Sequence, residues 1–400
     1  MVLFVCHRER IIRNVYERGR FCEYAYTGSV SDDGGTNMEE NLILCAAADG
    51  GKSLPDSEDF AFLRDLGLIK TDGEIEKLTV AGLLFVGKQS SISRLLPSAE
   101  VIYLHYSADN LEEYDARLDM RQPIVSVLDR LTEIIQNDNR ILNVQIGLFR
   151  LEIADFSEKV FQEALLNAMS HRDYQSMSAV YVKHYPDKIV IENPGGFLDG
   201  ITEKNIITHP SAPRNKLIAE TLQHLKYVQR TGQGVDIIYR EMVSMGKPYP
   251  EYHVFSDAVS LTLRSSVEDM SFVKFVVAEQ EKKQIILSLA ELMILRYVTE
   301  NKQIKLSDAK DLVQLSLEDT RKCCLNLVKL GLIETVGKEY MLTARVYEMV
   351  KSDVQYTRDK VVQYIKAEQQ ARATIDKMRK ENIIDMIGKG KSSKYVLVKS

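Results

Sequence analysis

Apolar positions recur along this chain with two different periods, and the places where the period changes outline its elements. Ser57–Ile69 carries an amphipathic helical pattern that ends in Leu-Gly-Leu-Ile. Leu78–Gly87 is an unbroken apolar run closed by Gly87-Lys88. Ala99–Tyr106 has strand composition, and Val125, Leu128, Leu131 and Ile134 place a helix over Pro123–Asn137. Asp155–Met169 reads as another helix, with Ser157 in the capping position. Strands follow at Val180–Tyr185 and Lys188–Glu192, around the turn dipeptide Pro186-Asp187. Gly200–Ala212 is loop-rich. Short helices then occupy Lys216–Leu225 and Val235–Met245, and Val259–Leu263 alternates like a strand. Val267–Lys283 is charged and lacks a clear period, which predicts a linker. Helical patterns return at Leu289–Thr299, Leu306–Val313 and Leu317–Leu330, and Gly331–Leu342 reads as a hairpin.

Three helices and a hairpin in that order describe a winged helix-turn-helix. Residues 355–400 repeat the plan in shortened form, since Lys338-Glu-Tyr-Met-Leu and Lys394-Tyr-Val-Leu-Val share one grammar. Upstream, Arg8–Arg20 has a basic helical pattern and Glu39–Ala48 a second helical one, with loops at Thr27–Asn37 and from Asp49. Gly50-Gly-Lys-Ser superficially resembles a phosphate-binding loop. Ala46 stands where that motif needs its first glycine, so the stretch reads as a turn.

Composition adds limits. A chain of 400 residues exceeds one ordinary core, and 45% apolar with 27% charged residues is globular. The net charge of −5 gives no global nucleic-acid signature, so any basic surface is local. Cys6, Cys22, Cys45, Cys323 and Cys324 form no C-x-x-C, which argues against a zinc site and for a reducing, cytoplasmic setting. No apolar run approaches the roughly 18 residues of a membrane span.

The candidate chemistry lies between Val160 and Val235. Glu163, Asn167 and His171 are four residues apart, on one face of a predicted helix. Asn193-Pro-Gly-Gly ends the second strand of the pair, and Arg230-Thr-Gly232-Gln-Gly234 introduces a helix. A carboxylate and an amide on an otherwise apolar helix need partners, either from the fold or from a ligand. Singly, each patch reads first as a turn or a satisfied buried polar group. His171 adjoins Arg172 and Asp173, which are able to pair locally, and so reads as structural.

Together these motifs resemble the bacterial Schlafen AlbA-type regulators, also labelled RecG-helicase-like. Their central domain is related to the ATP-binding (GHKL) fold of gyrase, Hsp90, histidine kinases and MutL. Leu78–Gly87 resembles that family's middle segment, and a winged-helix tail is usual in it. The resemblance runs from about Ser57 to about Val350, and no helicase motor motif accompanies it. It implies an α/β (α+β) architecture. Residues 1–56 would be a remnant of an AlbA-like domain, 57–150 a small α/β segment and 151–266 the GHKL-like ATP-binding sandwich. Winged helices would occupy 285–350 and, shortened, 355–400.

The resemblance also implies roles. Glu163 would accept a proton from attacking water, and Asn167 would ligate Mg²⁺ held by ATP. Asn193 stands where the wider superfamily offers adenine an Asp, so its hydrogen bond would be uncharged. Gly195, Gly196, Gly232 and Gly234 would let backbone N–H groups approach phosphate. Arg214 and Arg230 would add charge-assisted contacts. In the tail, Arg321, Lys322 and Asn326 on the third helix suit DNA, as do Lys389, Lys391 and Lys394 at the second hairpin. Glu318 and Asp319 would repel phosphate, which leaves a protein-interaction role open for the first copy. The function implied is ATP-linked, DNA-binding transcriptional regulation. The alternatives are an ATPase of DNA processing or defence, and a nucleotide-free scaffold. Hydrolysis and homo-oligomerisation stay open.

Overall fold

A computed structural model of the chain describes residues 44–45, 58–72, 75–108, 113–146, 149–210, 212–227, 234–350, 384–387 and 394–397. The readings over 1–43 and 46–57, and most of the shortened repeat expected over 355–400, lie outside the described residues.

The described residues begin with a small antiparallel sheet. Strand β1 (Leu44–Cys45) and strand β2 (Ile69–Asp72) flank β3 (Ile75–Leu78), with α1 (Glu58–Asp65) lying between β1 and β2 in sequence. Leu44–Cys45 is thus extended where Glu39–Ala48 was expected to be helical. The two residues pair with Leu78 and Lys77, a long-range ladder that local periodicity cannot register. The apolar run resolves into the end of β3 and a wholly buried helix, α2 (Val80–Val86). Thr79 starts that helix, its hydroxyl accepting from Gly82 N at 3.0 Å and donating to Leu68 O at 3.1 Å.

After α3 (Gln89–Leu95) come β4 (Val101–His105), β5 (Ala116–Met120), α4 (Ile124–Asn137) and the hairpin β6 (Ile141–Ile146) and β7 (Phe149–Ala154). Helix α5 (Glu158–His171) precedes β8 (Val180–His184) and β9 (Lys188–Pro194), followed by α6 (Lys216–His224) and α7 (Gly234–Ser244). Edge strand β10 (Glu251–Val254) and β11 (Ala258–Arg264) complete a six-stranded sheet of order β10-β11-β9-β8-β4-β5. Its pairings are antiparallel except β4 with β8, where Val101 faces Val180 in parallel register. Alternation along the strands sends Val101, Tyr103, Val180, Val182, Ile189, Ile191, Leu261 and Leu263 into one core with α4, α5, α6 and α7. On β4 the other phase, Ile102 and Leu104, joins Tyr106 and Ala179 in a small second cluster. The sheet and its core take strands from both sides of residue 150.

A second core lies between Tyr239 and Val346. It gathers α8 (Met270–Lys283), α9 (Leu289–Asn301), β12 (Gln303–Lys305), α10 (Leu306–Val313), α11 (Leu317–Lys329) and the hairpin β13 (Ile333–Val336) and β14 (Glu339–Leu342). The three strands form a sheet of order β12-β14-β13. Helix α8 replaces the expected linker. Phe272, Val273, Phe275 and Val276 make a buried helical stripe among the charges, and Asp269 caps it by accepting from Phe272 N at 2.8 Å. Ser288 and Glu291 form a reciprocal capping box on α9. Of residues 355–400 the described part is one antiparallel hairpin, β15 (Ile384–Ile387) with β16 (Lys394–Leu397). Overall the chain is an α+β arrangement.

Candidate nucleotide site

Helix α5 gives the site its polar face. Val160, Phe161, Ala164, Leu165 and Ala168 are buried in the core, which fixes the helix rotation and turns Glu163, Asn167 and His171 toward a cavity of about 170 Å³. The helix begins at Glu158, and Ser157 occupies the cap position without a side-chain capping bond, unlike the expected cap. Its C-terminal carbonyls are met by the loop that precedes α6. Arg214 Nε donates to His171 O at 3.2 Å, and Asn215 Nδ2 donates to Ser170 O and Arg172 O at 3.2 and 2.7 Å. A cation at a helix C-terminus complements the helix dipole. Arg214 also donates to Gly196 O at 2.9 Å, so one guanidinium joins α5 to the loop after β9.

Gly234, the first residue of α7, packs directly on this face. A Cβ built there would overlap Glu163 Oε1 and lie 2.8 Å from Asn167 Nδ2. A side chain at 234 would therefore fill the space between the two helices that glycine leaves beside the carboxylate and the amide. Gly195 has φ +100°, and a Cβ on it would sit 3.0 Å from Asp173 Cβ. Both conditions favour glycine at the strand end.

The electrostatics follow from burial. Glu163 is 9% exposed, and burial lifts its carboxyl to about 6. Burial, and secondarily Arg214, push His171 down to about 4, so the imidazole is neutral at physiological pH. Asn193 also lines the cavity, and its Oδ1 is a buried oxygen without a hydrogen-bond partner. Such atoms are uncommon in folded proteins, and each needs an explanation. Arg172 does not pair with Asp173 as the local sequence suggested. It is buried, with Nη1 on Glu100 O at 3.0 Å and Nη2 on Ser178 O at 2.9 Å and on Ser98 O. That role is structural, tying the end of α5 to the start of β4 and β8.

Of the predicted residues, Glu163, Asn167, Asn193, Gly195, Gly196, Arg214 and Gly234 all line this one cavity. Arg230 and Gly232 lie outside the described residues. Sequence reasoning missed Phe197, Asp236 and Tyr252, which also line it. Asp236 stands in the first turn of α7, its carboxyl pushed up by burial. Tyr252 lies on β10 with its hydroxyl pushed well above the usual phenol range by burial, and its ring is 6.3 Å from that of Phe197. The signal that would have found Asp236 is its position two residues beyond Gly234.

The tail residues are placed differently. Lys322 reaches Glu318 at 3.1 Å and Asp319 at 3.0 Å, and Asn326 Nδ2 donates to Glu291 Oε1 at 2.5 Å. Two of the three side chains expected to face DNA thus have protein partners, while Arg321 lies on the exposed face of α11 with Leu317 and Leu325. Lys389 and Lys391 lie outside the described residues, and Lys394 opens β16.

Comparison with known proteins adds two family matches. Residues 178–263 match the model of a family described as "Putative ATP-dependent DNA helicase recG C-terminal". Residues 43–102 match a domain family of unknown function. The first match resembles an ATPase-type domain. It takes in Asn193, the two loops and α7, but Glu163 and Asn167 precede it. No curated protein matches the chain. The solved structure of the DIP2311 protein from Corynebacterium diphtheriae superposes with TM-score 0.63 at 19% identity, over 84% of this chain and 68% of that one. It shows a shared fold. Ligand-free NadR aligns with TM-score 0.17 and 14% identity over 28% of this chain and 86% of its own, too little for any structural argument. Among the described residues no helix is long and apolar enough to cross a membrane.

Proposed function

We propose that this chain is a nucleotide-binding regulator in which Mg-ATP occupies the cavity between α5, β9 and α7 and alters the presentation of a winged-helix tail. The observation that carries the reading is the convergence of Glu163 and Asn167 with the glycine start of α7. An oxygen pair suited to a hard cation and its water meets a helix N-terminus suited to phosphate, in one cavity. The unpaired Asn193 Oδ1 supplies a buried acceptor at the strand end, fit for an amino group. Mg²⁺, when bound with the nucleotide, would neutralise phosphate charge. Asn167 would hold it, and Arg214 would add positive potential. Glu163 is ionised above about pH 6 and positioned to take a proton from water, so slow hydrolysis belongs to the proposal as its weaker part.

The tail, with its helix–helix–helix–hairpin order, fits a winged helix. DNA contact would then rest on Arg321 and the hairpin. A second reading has a specific observation behind it. With Lys322 and Asn326 engaged and Leu317 and Leu325 exposed, α11 also suits a protein partner.

Thermal unfolding with and without Mg-ATP, on the wild type and on Asn167→Ala, tests the nucleotide site. A ligand at a hundred times its Kd adds about 2.7 kcal/mol to stability. The expected result is a rise in Tm for the wild type that Asn167→Ala abolishes. Equal Tm values in all four samples would leave the fold without its nucleotide.

A further inference from the structure

The loop that closes the cavity is fastened to the tail. Between β9 and α6, Leu198, Ile201, Ile206, Ile207 and His209 face the cavity. The loop is internally braced by Asn205, which accepts from Thr202 N at 2.7 Å and donates to Gly200 O at 2.7 Å. Its first residue is held at the sheet end, where Gly195 N donates to Asp257 O at 2.7 Å. Among the described residues, the hydrogen bonds leaving 197–210 end on one residue, Gln314. Ile207 N donates to Gln314 Oε1 at 3.0 Å, Thr208 Oγ1 donates to Gln314 O at 2.7 Å, and Gln314 Nε2 donates to Glu203 O at 3.1 Å.

Gln314 is specific in chemistry and in place. Its amide both accepts from and donates to the loop, so neither a carboxylate nor an aliphatic side chain reproduces the pair. It caps the C-terminus of α10 with φ 57°, in the turn that leads into α11. Ile207 reinforces the link by lining the cavity while also packing against the second core.

We infer that Gln314 is a tether through which occupancy of the cavity and docking of the α10–α11 turn reinforce each other. The inference rests on the nucleotide reading for the ligand, and on the Gln314 bonds alone for the mechanical link. A ligand contacting Ile206 and Ile207 holds the loop closed, and the closed loop holds the turn. By linkage, whatever engages the turn in that position tightens the ligand by the same factor.

Hydrogen exchange on the full chain separates the two parts. Gln314→Glu keeps the side-chain size and the acceptor for Ile207 N, but sets a carboxylate oxygen against Glu203 O. In the ligand-free protein this variant is expected to speed amide exchange over 197–210, and unchanged exchange there would overturn the tether whatever the ligand. With Mg-ATP, the wild type should show slowed exchange in α5, in 197–210 and in 306–320. In Gln314→Glu the slowing in α5 should persist while that in 306–320 is lost, with affinity weaker by about 3- to 10-fold. Slowing in 306–320 equal to the wild type would sink the coupling. Absence of slowing in α5 of the wild type would instead remove the nucleotide, and the ligand-free comparison would still decide the tether. Thr208→Val, which removes one of the three bonds, should give an intermediate effect and guards against misfolding.

Discussion

Glu163 is a carboxylate held almost out of water, and its raised pKa measures what that costs the fold. The native state binds its proton more tightly than the unfolded chain does, so the penalty is complete above about pH 6 and fades toward pH 4.5. Glu163→Gln should therefore be more stable than the wild type by about 2 kcal/mol above pH 7, with the gain gone near pH 4.5. Urea midpoints across that range would check the sign, and a destabilised Gln variant at pH 8 would mean that the carboxylate has a favourable partner in the fold. Arg172 makes the contrast with Glu163. Both are polar and buried, but Arg172 has its Nη1 and Nη2 held by carbonyls just before β4 and β8, its Nε alone lacking a partner. The four-residue spacing made the Glu163–Asn167–His171 face legible in the sequence. The Arg172 staple was not, because two of its three partners are backbone atoms more than seventy residues away.

At the scale of elements, what could be read was what carries a clean period. Helices α4, α5, α9, α10 and α11 and strands β8, β9 and β11 lie where periodicity put them, to within a few residues. The losses have physical causes. Strand β5 is mostly exposed, and its alternation, Ala116, Leu118 and Met120 against Arg117 and Asp119, is too short to stand out. Strand β10 is an edge with only partial burial. In α8 the adjacent pairs Phe272-Val273 and Phe275-Val276 form a stripe that the flanking charges hide from a simple count. Helix α11 shows the reverse limit. Its basic residues were visible, and the Lys322 pairs follow from i,i+4 and i,i+3 spacing, but the Asn326 bond to Glu291 depends on how α11 packs on α9. If the tail contacts duplex DNA, Arg321→Ala should weaken binding and reduce the salt slope by about one. Lys322→Ala, already paired twice within α11, should change neither quantity. A salt titration of both variants on one duplex would show it, and a larger effect from Lys322 would mean that its ion pairs open on binding.

At the scale of the molecule, the two cores meet on α7. Ile238 and Met242 face the first, while Tyr239 and Val243 face the second. Buried Arg296 of α9 adds a polar seam, donating to Lys247 O and pairing with Glu268 at 3.1 Å and Glu300 at 2.8 Å. A chain cut after Ser266 should hence keep the six-stranded sheet yet expose an apolar face of α7. We expect it to bind a hydrophobic dye such as ANS and to self-associate, while the full chain does neither. A soluble, dye-silent fragment would show that the first core closes without the second. The same double-faced helix has a consequence during synthesis. The first core has all its strands once Arg264 is made, but the last buried residue of the second, Val346, follows roughly 80 residues later. At ordinary translation rates of about 5–20 residues per second, α7 waits for its partner for about 4–16 s, time enough for a chaperone or a neighbouring nascent chain to find it first.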